Sequence, residues 1–178
     1  MSSKSQSPFR VNLHELPRRA GEMRTYRLDF ELNEAIGTPM LAIRVGEKML
    51  IEFKAEAVSD GVLISGDVKS KAKGECGRCL DEINREVSEE FRELFLYESR
   101  KSEDDDEVEL FALDGDIADI ETAIRDAVVL TMPINPLCKA DCKGLCSECG
   151  ERWEKLDPEH SHEKIDPRWS GLTGWQPK

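Results

Sequence analysis

The sequence predicts an α+β, β-rich fold: an antiparallel meander or partly closed barrel with one main helix and a cysteine-rich C-terminal segment. Three observations support this prediction. Apolar and polar residues alternate through the first half of the chain, as in strands with one buried face. A helical period follows an acidic tract, and four of the six cysteines lie within residues 138–149. The 178 residues suit one domain with a small appendage, which we place at 1–137 and 138–178.

The predicted strands begin near residue 24. Residues 24–32, 41–45 and 49–57 each carry apolar side chains at alternate positions, so that one face of each strand can be buried. Asp60-Gly61 is typical of a hairpin turn, and residues 62–72 form the returning strand. The inner face of the third of these strands comprises Met49, Ile51, Phe53, Ala55 and Ala57.

Residues 82–97 fit either a strand or a helix. Ile83, Val87 and Phe91 recur at a spacing that both structures allow, with Leu94 completing a helical face and Phe95 a strand face. The high content of Glu and Arg favours a helix. The local pattern does not decide between them.

The main helix is predicted at residues 117–131. Asp116 is a candidate N-cap, and the helix ends before Pro133. The residues before it form an acidic loop at 98–116, and the wider stretch 98–121 carries 11 acidic against 2 basic side chains. Such a run is typical of a solvated loop.

The composition excludes several classes of protein. No apolar run approaches the roughly 18 residues that cross a bilayer, and the first ten residues contain no apolar core like that of a signal peptide. We therefore expect a cytoplasmic protein without membrane contact. The formal net charge of −12 argues against a broadly basic RNA-coating protein, although residues 1–80 carry 13 basic and 11 acidic side chains. No motif indicates an enzyme.

The cysteines predict a metal site, because thiols in a reducing cytosol serve metal or thiol chemistry rather than disulfides. Cys146-x2-Cys149-Gly150 is typical of a zinc knuckle, in which two thiolates bind one ion. Two ligand sets are open. The local foursome is Cys138, Cys142, Cys146 and Cys149, and the competing set pairs Cys76 and Cys79 with Cys146 and Cys149.

These residues allow two further interpretations. Cys76-x2-Cys79 could be a redox dithiol in which Arg78 lowers the thiolate pKa, although no βαβ pattern surrounds it. His160 and His162 could complete a site with Cys76 and Cys79, but a His-x-His sequence in a polar loop is usually solvated.

A basic stripe lies at the end of the predicted returning strand. Lys69, Lys71 and Lys73 occupy alternate positions, hence one face, and Arg78 lies in the following turn. Such a row protects an exposed sheet edge from aggregation, or it contacts the backbone of RNA. Both interpretations stay open.

The chain resembles the YceD family, the large-ribosomal-RNA accumulation proteins of bacteria. The resemblance rests on Cys76-Gly77-Arg78-Cys79 after a lysine-rich strand, then an acidic loop, a helix, residues 132–136 and the sequence Gly-Leu-Cys-x-x-Cys-Gly at 144–150. It covers roughly residues 8–172. The family implies a β-rich fold, which favours a strand at 82–97 paired with 66–75.

The resemblance also bears on the metal and the function. Some relatives carry the first cysteine pair without the cysteine tail, which favours the local foursome for a structural zinc and leaves Cys76 and Cys79 without a settled role. The family implies a non-enzymatic factor needed for accumulation or processing of large-subunit ribosomal RNA. We therefore expect contact with that RNA or the assembling subunit through Lys69, Lys71, Lys73 and Arg78. The alternatives are an adaptor for ribosomal proteins and a thiol oxidoreductase.

Overall fold

A computed structural model describes residues 7–97 and 111–162. Strands dominate this part of the chain, with one helix near its end. In chain order the elements are β1 (Arg10–Asn12), β2 (Met23–Glu31), β3 (Ile36–Gly37), β4 (Leu41–Ile43), β5 (Lys48–Ala57), β6 (Gly61–Glu75), β7 (Glu82–Leu96), β8 (Ile117–Asp119) and α1 (Glu121–Thr131).

The main sheet is antiparallel, has six strands and is curled into a half-barrel. Its centre is β6, which pairs with β7 along its full length from Gly61 to Glu75. On the other side β6 pairs first with β5 and then, near its end, with β4. The sheet continues outward through β2 beyond β5 and through β3 beyond β4. This confirms the predicted partly closed antiparallel architecture.

The β5–β6 hairpin forms as predicted. β5 ends at Ala57 and β6 begins at Gly61, and the backbone N–H of Val58 donates to the carbonyl of Gly61 at 2.9 Å. The alternating side chains of β5 face the core and are buried: Met49, Ile51, Phe53, Ala55 and Ala57. Together with the apolar face of β6 they form the floor of the hydrophobic core.

Residues 82–97 form a strand through Leu96, not a helix. Val87, Phe91 and Phe95 are buried in the core, and the even-numbered positions from Ser88 to Leu94 are exposed on the opposite face. The sequence was ambiguous because these apolar residues are spaced by four, a spacing shared by one helical face and one strand face. Pairing with β6 decides the conformation, since β6 offers a full row of backbone partners.

The helix begins four residues later than predicted. Ile117–Asp119 form β8, which pairs with β1 and buries Ala118. The N-cap is Ile120 rather than Asp116, and the carboxylate of Asp119 accepts a hydrogen bond from the N–H of Glu121 at 3.2 Å. The predicted start was wrong because β1, 105 or more positions earlier in the chain, draws residues 117–119 into a small sheet.

α1 covers one side of the half-barrel. It packs on β7 and β3 through Ala123, Ile124 and Val128, all of which are buried. The helix ends at Thr131, just before Pro133, as expected. Of the predicted acidic loop, residues 98–110 lie outside the described residues. Within the described ranges, no helix is long and apolar enough to cross a membrane.

Candidate metal centre

The turn between β6 and β7 meets the chain that follows α1. This turn carries Cys76 and Cys79, and the backbone N–H of Gly77 donates to the carbonyl of Pro136 at 2.8 Å. A Cβ added at Gly77 would come within 1.8 Å of Asn135 Oδ1, so the absence of a side chain allows this close approach. The contact between Gly77 and Pro136 places Cys138 and Cys142 beside the β6–β7 turn.

Four sulfurs converge there and form what we call cluster 1: Cys76, Cys79, Cys138 and Cys142. Cys76 Sγ lies 3.8 Å from Cys142 Sγ, and Cys79 Sγ lies 3.5 Å from Cys138 Sγ. A zinc–sulfur bond is about 2.3 Å long, which sets the edge of a tetrahedron of four sulfurs at about 3.8 Å. The four thiols therefore fit a tetrahedral metal site and could hold a metal ion.

The electrostatics of cluster 1 favour a cation. Burial acts to raise the pKa of Cys76, but backbone N–H groups, among them that of Cys138, lower it to about 6. The N–H of Asp81 acts to lower the pKa of Cys79, yet burial and the neighbouring sulfurs outweigh it and raise that pKa to about 12. One thiolate thus opposes ionisation of the next, and a divalent ion is the group that stabilises several thiolates together.

A second group of candidate ligands, cluster 2, lies farther along the C-terminal segment that begins at residue 138, which we call the tail. It comprises Cys146, Cys149, His160 and His162. Cys149 Sγ lies 3.6 Å from Nε2 of His160. That matches the roughly 3.5 Å expected between a sulfur and a nitrogen on one tetrahedral zinc ion. The N–H groups of Cys149 and Glu148 lower the pKa of Cys146 to about 6, against the opposing effect of burial. These residues could also hold a metal ion.

The two Cys-x-x-Cys turns share one backbone geometry. In each, the residue after the second cysteine donates its N–H to the carbonyl of the first, at 3.0 Å for Leu80 to Cys76 and 2.9 Å for Gly150 to Cys146. That residue has a positive φ, 61° at Leu80 and 73° at Gly150. Only the second turn has the glycine that this conformation favours.

The tail is fastened to the sheet by polar contacts around cluster 1. Arg78 donates from its guanidinium to the carbonyl of Cys142 at 2.8 Å, and its own carbonyl accepts from the N–H of Leu145 at 3.1 Å. Arg152 makes a two-pronged ion pair with Asp81, with one contact at 2.7 Å. Arg152 in turn lowers the pKa of Asp81. A cavity of about 260 Å³ between these groups opens onto Cys79 and Cys138.

The structure groups the predicted ligands differently from either expected set. It divides the local foursome, with Cys138 and Cys142 in cluster 1 and Cys146 and Cys149 in cluster 2. Cys76 and Cys79 join the first pair, not the second, and the two histidines join the second pair. A count could have indicated this arrangement, because six cysteines with His160 and His162 supply the eight ligands that two four-coordinate sites need.

The basic stripe lies on the outward face of β6. β6 is an interior strand, so protection of a sheet edge is not the role of these lysines. Lys73 pairs with Glu47, and Arg78 is engaged with the tail. Lys69 and Lys71 line an open groove together with Lys48. None of those three forms an ion pair within the part of the chain that the structure describes.

Comparison with known proteins identifies the family. The model of the large ribosomal RNA subunit accumulation protein YceD matches residues 64–174, more than half of the chain. The chain belongs to the YceD family. The match starts within β6 and includes both clusters, so the parts that build the candidate metal centre lie within the family region.

Relatives that match this chain over most of their length occur in several bacteria. An uncharacterized protein of Mycobacterium tuberculosis is 38% identical over 174 residues, covering 94% of this chain and 81% of that protein. One of Mycobacterium leprae is 33% identical over 169 residues, covering 94% and 77%. The uncharacterized protein YlbN of Bacillus subtilis is 24% identical over 164 residues, covering 90% of each chain. No solved structure matches the chain.

Proposed function

We propose that this protein is a non-enzymatic, cytoplasmic accessory factor that large-subunit ribosomal RNA needs in order to accumulate during ribosome assembly. The observation that carries the proposal is membership of the YceD family, whose description names accumulation of that RNA. The protein acts by binding the RNA or the assembling subunit. Its cysteines serve a metal-stabilised structure rather than thiol chemistry.

The proposed RNA contact is the groove on the outward face of the sheet. Lys48, Lys69 and Lys71 line it and are available to phosphate. Acidic neighbours such as Glu31 and Glu86 share the groove, which limits attraction to RNA in general and leaves binding dependent on shape. Lys73 and Arg78 support the structure through their contacts with Glu47 and the tail.

The proposed cofactor is zinc, bound at cluster 1 as a structural ion. A set of four thiolates is typical of structural zinc sites, which have no open coordination position. The burial of Cys76, Cys79 and Cys142 supports a closed site. Bound there, zinc links the β6–β7 turn to the tail.

Charge reversal tests the RNA contact. We expect Lys69→Glu combined with Lys71→Glu to reduce crosslinking to large-subunit RNA in cells at least tenfold and to lower the yield of large subunits on a gradient. The matched control is Lys54→Glu, which lies on the same face but pairs with Glu56 at 3.3 Å. Full crosslinking by the double variant would refute the groove as the contact. Normal large-subunit levels in cells without the protein would refute the ribosomal role.

A second candidate is an adaptor that contacts ribosomal proteins without touching RNA. Two apolar side chains at the end of α1 favour it, because Leu130 is 83% and Ile134 is 90% exposed. The net charge of −12 also suits basic partners. Leu130→Ser with Ile134→Ser should then abolish copurification of ribosomal proteins, while the lysine double variant retains it. The reverse pattern supports direct RNA contact.

A thiol oxidoreductase makes a different prediction. Its activity would require a free dithiol at Cys76 and Cys79, whereas our proposal places both in a metal site. Cys76→Ser should release metal from cluster 1. Neither this variant nor the unmodified protein should show disulfide-exchange activity. A measurable exchange activity in the metal-loaded protein, abolished by Cys76→Ser, would contradict the non-enzymatic assignment.

A further inference from the structure

Cluster 2 lies apart from the site that fastens the tail to the sheet. Its four ligands come from residues 146–162 and none is shared with cluster 1. A His-x-His sequence on a polar loop ordinarily points its rings into water. Here both rings turn toward the two sulfurs, so that all four ligand atoms lie within 4.8 Å of one another.

We propose that Cys146, Cys149, His160 and His162 bind a second zinc ion, independently of cluster 1. The donor set of two thiolates and two imidazoles is one that tetrahedral zinc takes in structural sites. The full chain then carries two zinc ions, one with four sulfur ligands and one with two sulfur and two nitrogen ligands. This inference does not depend on the ribosomal role.

The backbone around Cys146 has the features of a zinc knuckle, namely N–H groups that point at the sulfur and a glycine that closes the turn. The N–H groups of Glu148 and Cys149 point at the sulfur of Cys146, which is 3% exposed. Such donors stabilise a thiolate, the form of cysteine that binds metal. The positive φ of Gly150 closes the turn. The turn and the backbone donors that a knuckle requires are therefore both present around Cys146.

The histidine side is equally ordered. The rings of His160 and His162 meet edge to face with centroids 4.5 Å apart, and Trp153 packs edge to face on His160 at 5.8 Å. His160 presents Nε2 to the sulfurs, which leaves Nδ1 as the protonated nitrogen when the ring binds a metal. Packing against Trp153 limits rotation of that ring and so favours a fixed ligand.

The second ion has a separate task, which follows from what its ligands enclose. The knuckle lies at the tip of a small hairpin in which Leu145 bridges Arg152, and the N–H of Trp153 donates to the carbonyl of Gly144 at 3.1 Å. This hairpin carries Arg152, the partner of Asp81 in the β6–β7 turn. The ion at cluster 2 shapes the hairpin, whereas the ion at cluster 1 attaches the tail.

The test is zinc stoichiometry of the full chain, purified with zinc and measured by elemental analysis. We expect two ions per chain in the unmodified protein, one in His160→Ala, one in Cys149→Ser and one in Cys138→Ser. His160→Cys keeps a ligand at that position and should restore two. His14→Ala is the matched control, since His14 is exposed and belongs to neither cluster, and it should retain two ions.

Cobalt distinguishes the two sites without relying on the count. In the cobalt-loaded protein, bands of the two-sulfur, two-nitrogen site should lie at shorter wavelength than those of the four-sulfur site. His160→Ala should remove the first set alone, and Cys138→Ser the second set alone. The proposal would be overturned if the unmodified protein held only one zinc and His160→Ala retained it, or if the unmodified protein held two and His160→Ala retained both. A single ion lost on His160→Ala but kept in Cys138→Ser would support cluster 2 and refute cluster 1.

Discussion

The half-barrel and the tail reach a fixed structure by different means. Twenty-seven buried apolar residues form one continuous core, and all of them lie between Phe9 and Met132. Beyond residue 137, the buried residues in the described part of the chain are Cys142, Gly144 and Cys146. The sheet is stabilised by apolar burial, whereas residues 138–162 have almost no apolar core of their own.

This difference explains where the candidate metal ligands lie. A segment of about 25 residues cannot bury enough apolar surface to offset the entropy of ordering it. Cluster 1 links such a segment to a sheet that is already stable, through the turn that carries Cys76. In our proposal, metal bound at cluster 2 supplies local order where the sheet no longer reaches. The predictions below test this division, starting with the largest expected effect.

Removing metal should produce the largest difference in stability between the half-barrel and the tail. A structural zinc contributes an apparent stabilisation of about 10–16 kcal/mol at pH 7, so a chelator should unfold residues 138–162 and leave the half-barrel folded. Amide hydrogen exchange measures both in one sample. We expect protection of the Leu145 and Trp153 amides to vanish while that of the β5 and β6 amides changes little. Simultaneous loss of protection in β5 would show that the sheet also depends on metal.

Shortening a core side chain should act in the opposite way. Phe95 is 1% exposed and packs on Phe111 with ring centroids 5.3 Å apart. Phe95→Ala should lower the free energy of unfolding of the half-barrel by about 3–5 kcal/mol, as measured in urea, without changing the zinc content of the folded protein. Leu94→Ala is the control, because Leu94 lies on the outward face of β7 and its loss should cost about 0.5 kcal/mol or less.

Breaking the ion pair between the regions should have a smaller effect. Arg152 and Asp81 are more than a third exposed, and exposed pairs contribute about 1 kcal/mol or less. Arg152→Ala should therefore raise the exchange rate of the Leu145 amide by a few-fold and leave both metal sites filled. The comparison variant is Arg27→Ala, whose pair with Glu52 lies on the sheet. An equal change in Leu145 exchange in both variants would mean that the ion pair does not fasten the tail.

The smallest effect concerns the two Cys-x-x-Cys turns, which lie at residues 76–79 and 146–149. Leu80 holds a φ of 61°, which costs a residue other than glycine about 1–2 kcal/mol. Leu80→Gly relieves that strain but adds about 0.5–1 kcal/mol of unfolded-chain entropy, so we expect a net stabilisation of about 0–1.5 kcal/mol. Gly150→Leu should instead weaken cluster 2 by about 1–2 kcal/mol. Competition with a calibrated chelator would measure both, and a loss of affinity in Leu80→Gly would contradict the strain argument.

Much of the sheet could be predicted because its strands carry their pattern locally. The buried face of β5 follows from the alternation of apolar residues alone. The Asp60-Gly61 turn predicts the hairpin between β5 and β6. The start of α1 could not be predicted, because β8 forms only by pairing with β1 far away in the chain. Local periodicity shows which face of an element is buried, but it does not show which other strand the element pairs with.

The candidate metal centre was half predictable for the same reason. Cysteine spacing identified the knuckle residues, since two thiolates in one turn form a local motif. The sequence did not show that Cys138 and Cys142 face Cys76 and Cys79 rather than Cys146. That choice depends on where Pro136 meets Gly77, a contact between segments about 60 residues apart. The zinc content of either cluster stays a prediction.

The distance along the chain between the ligands of cluster 1 has a consequence for biosynthesis. Cys76 and Cys142 are 66 positions apart, so translation completes all strands of the sheet and the helix before the last ligand emerges from the ribosome. Closing a loop of this length costs only slightly more entropy than closing a short one. Metal capture at the proposed site would therefore come late and would mark a nascent chain whose sheet has already been made.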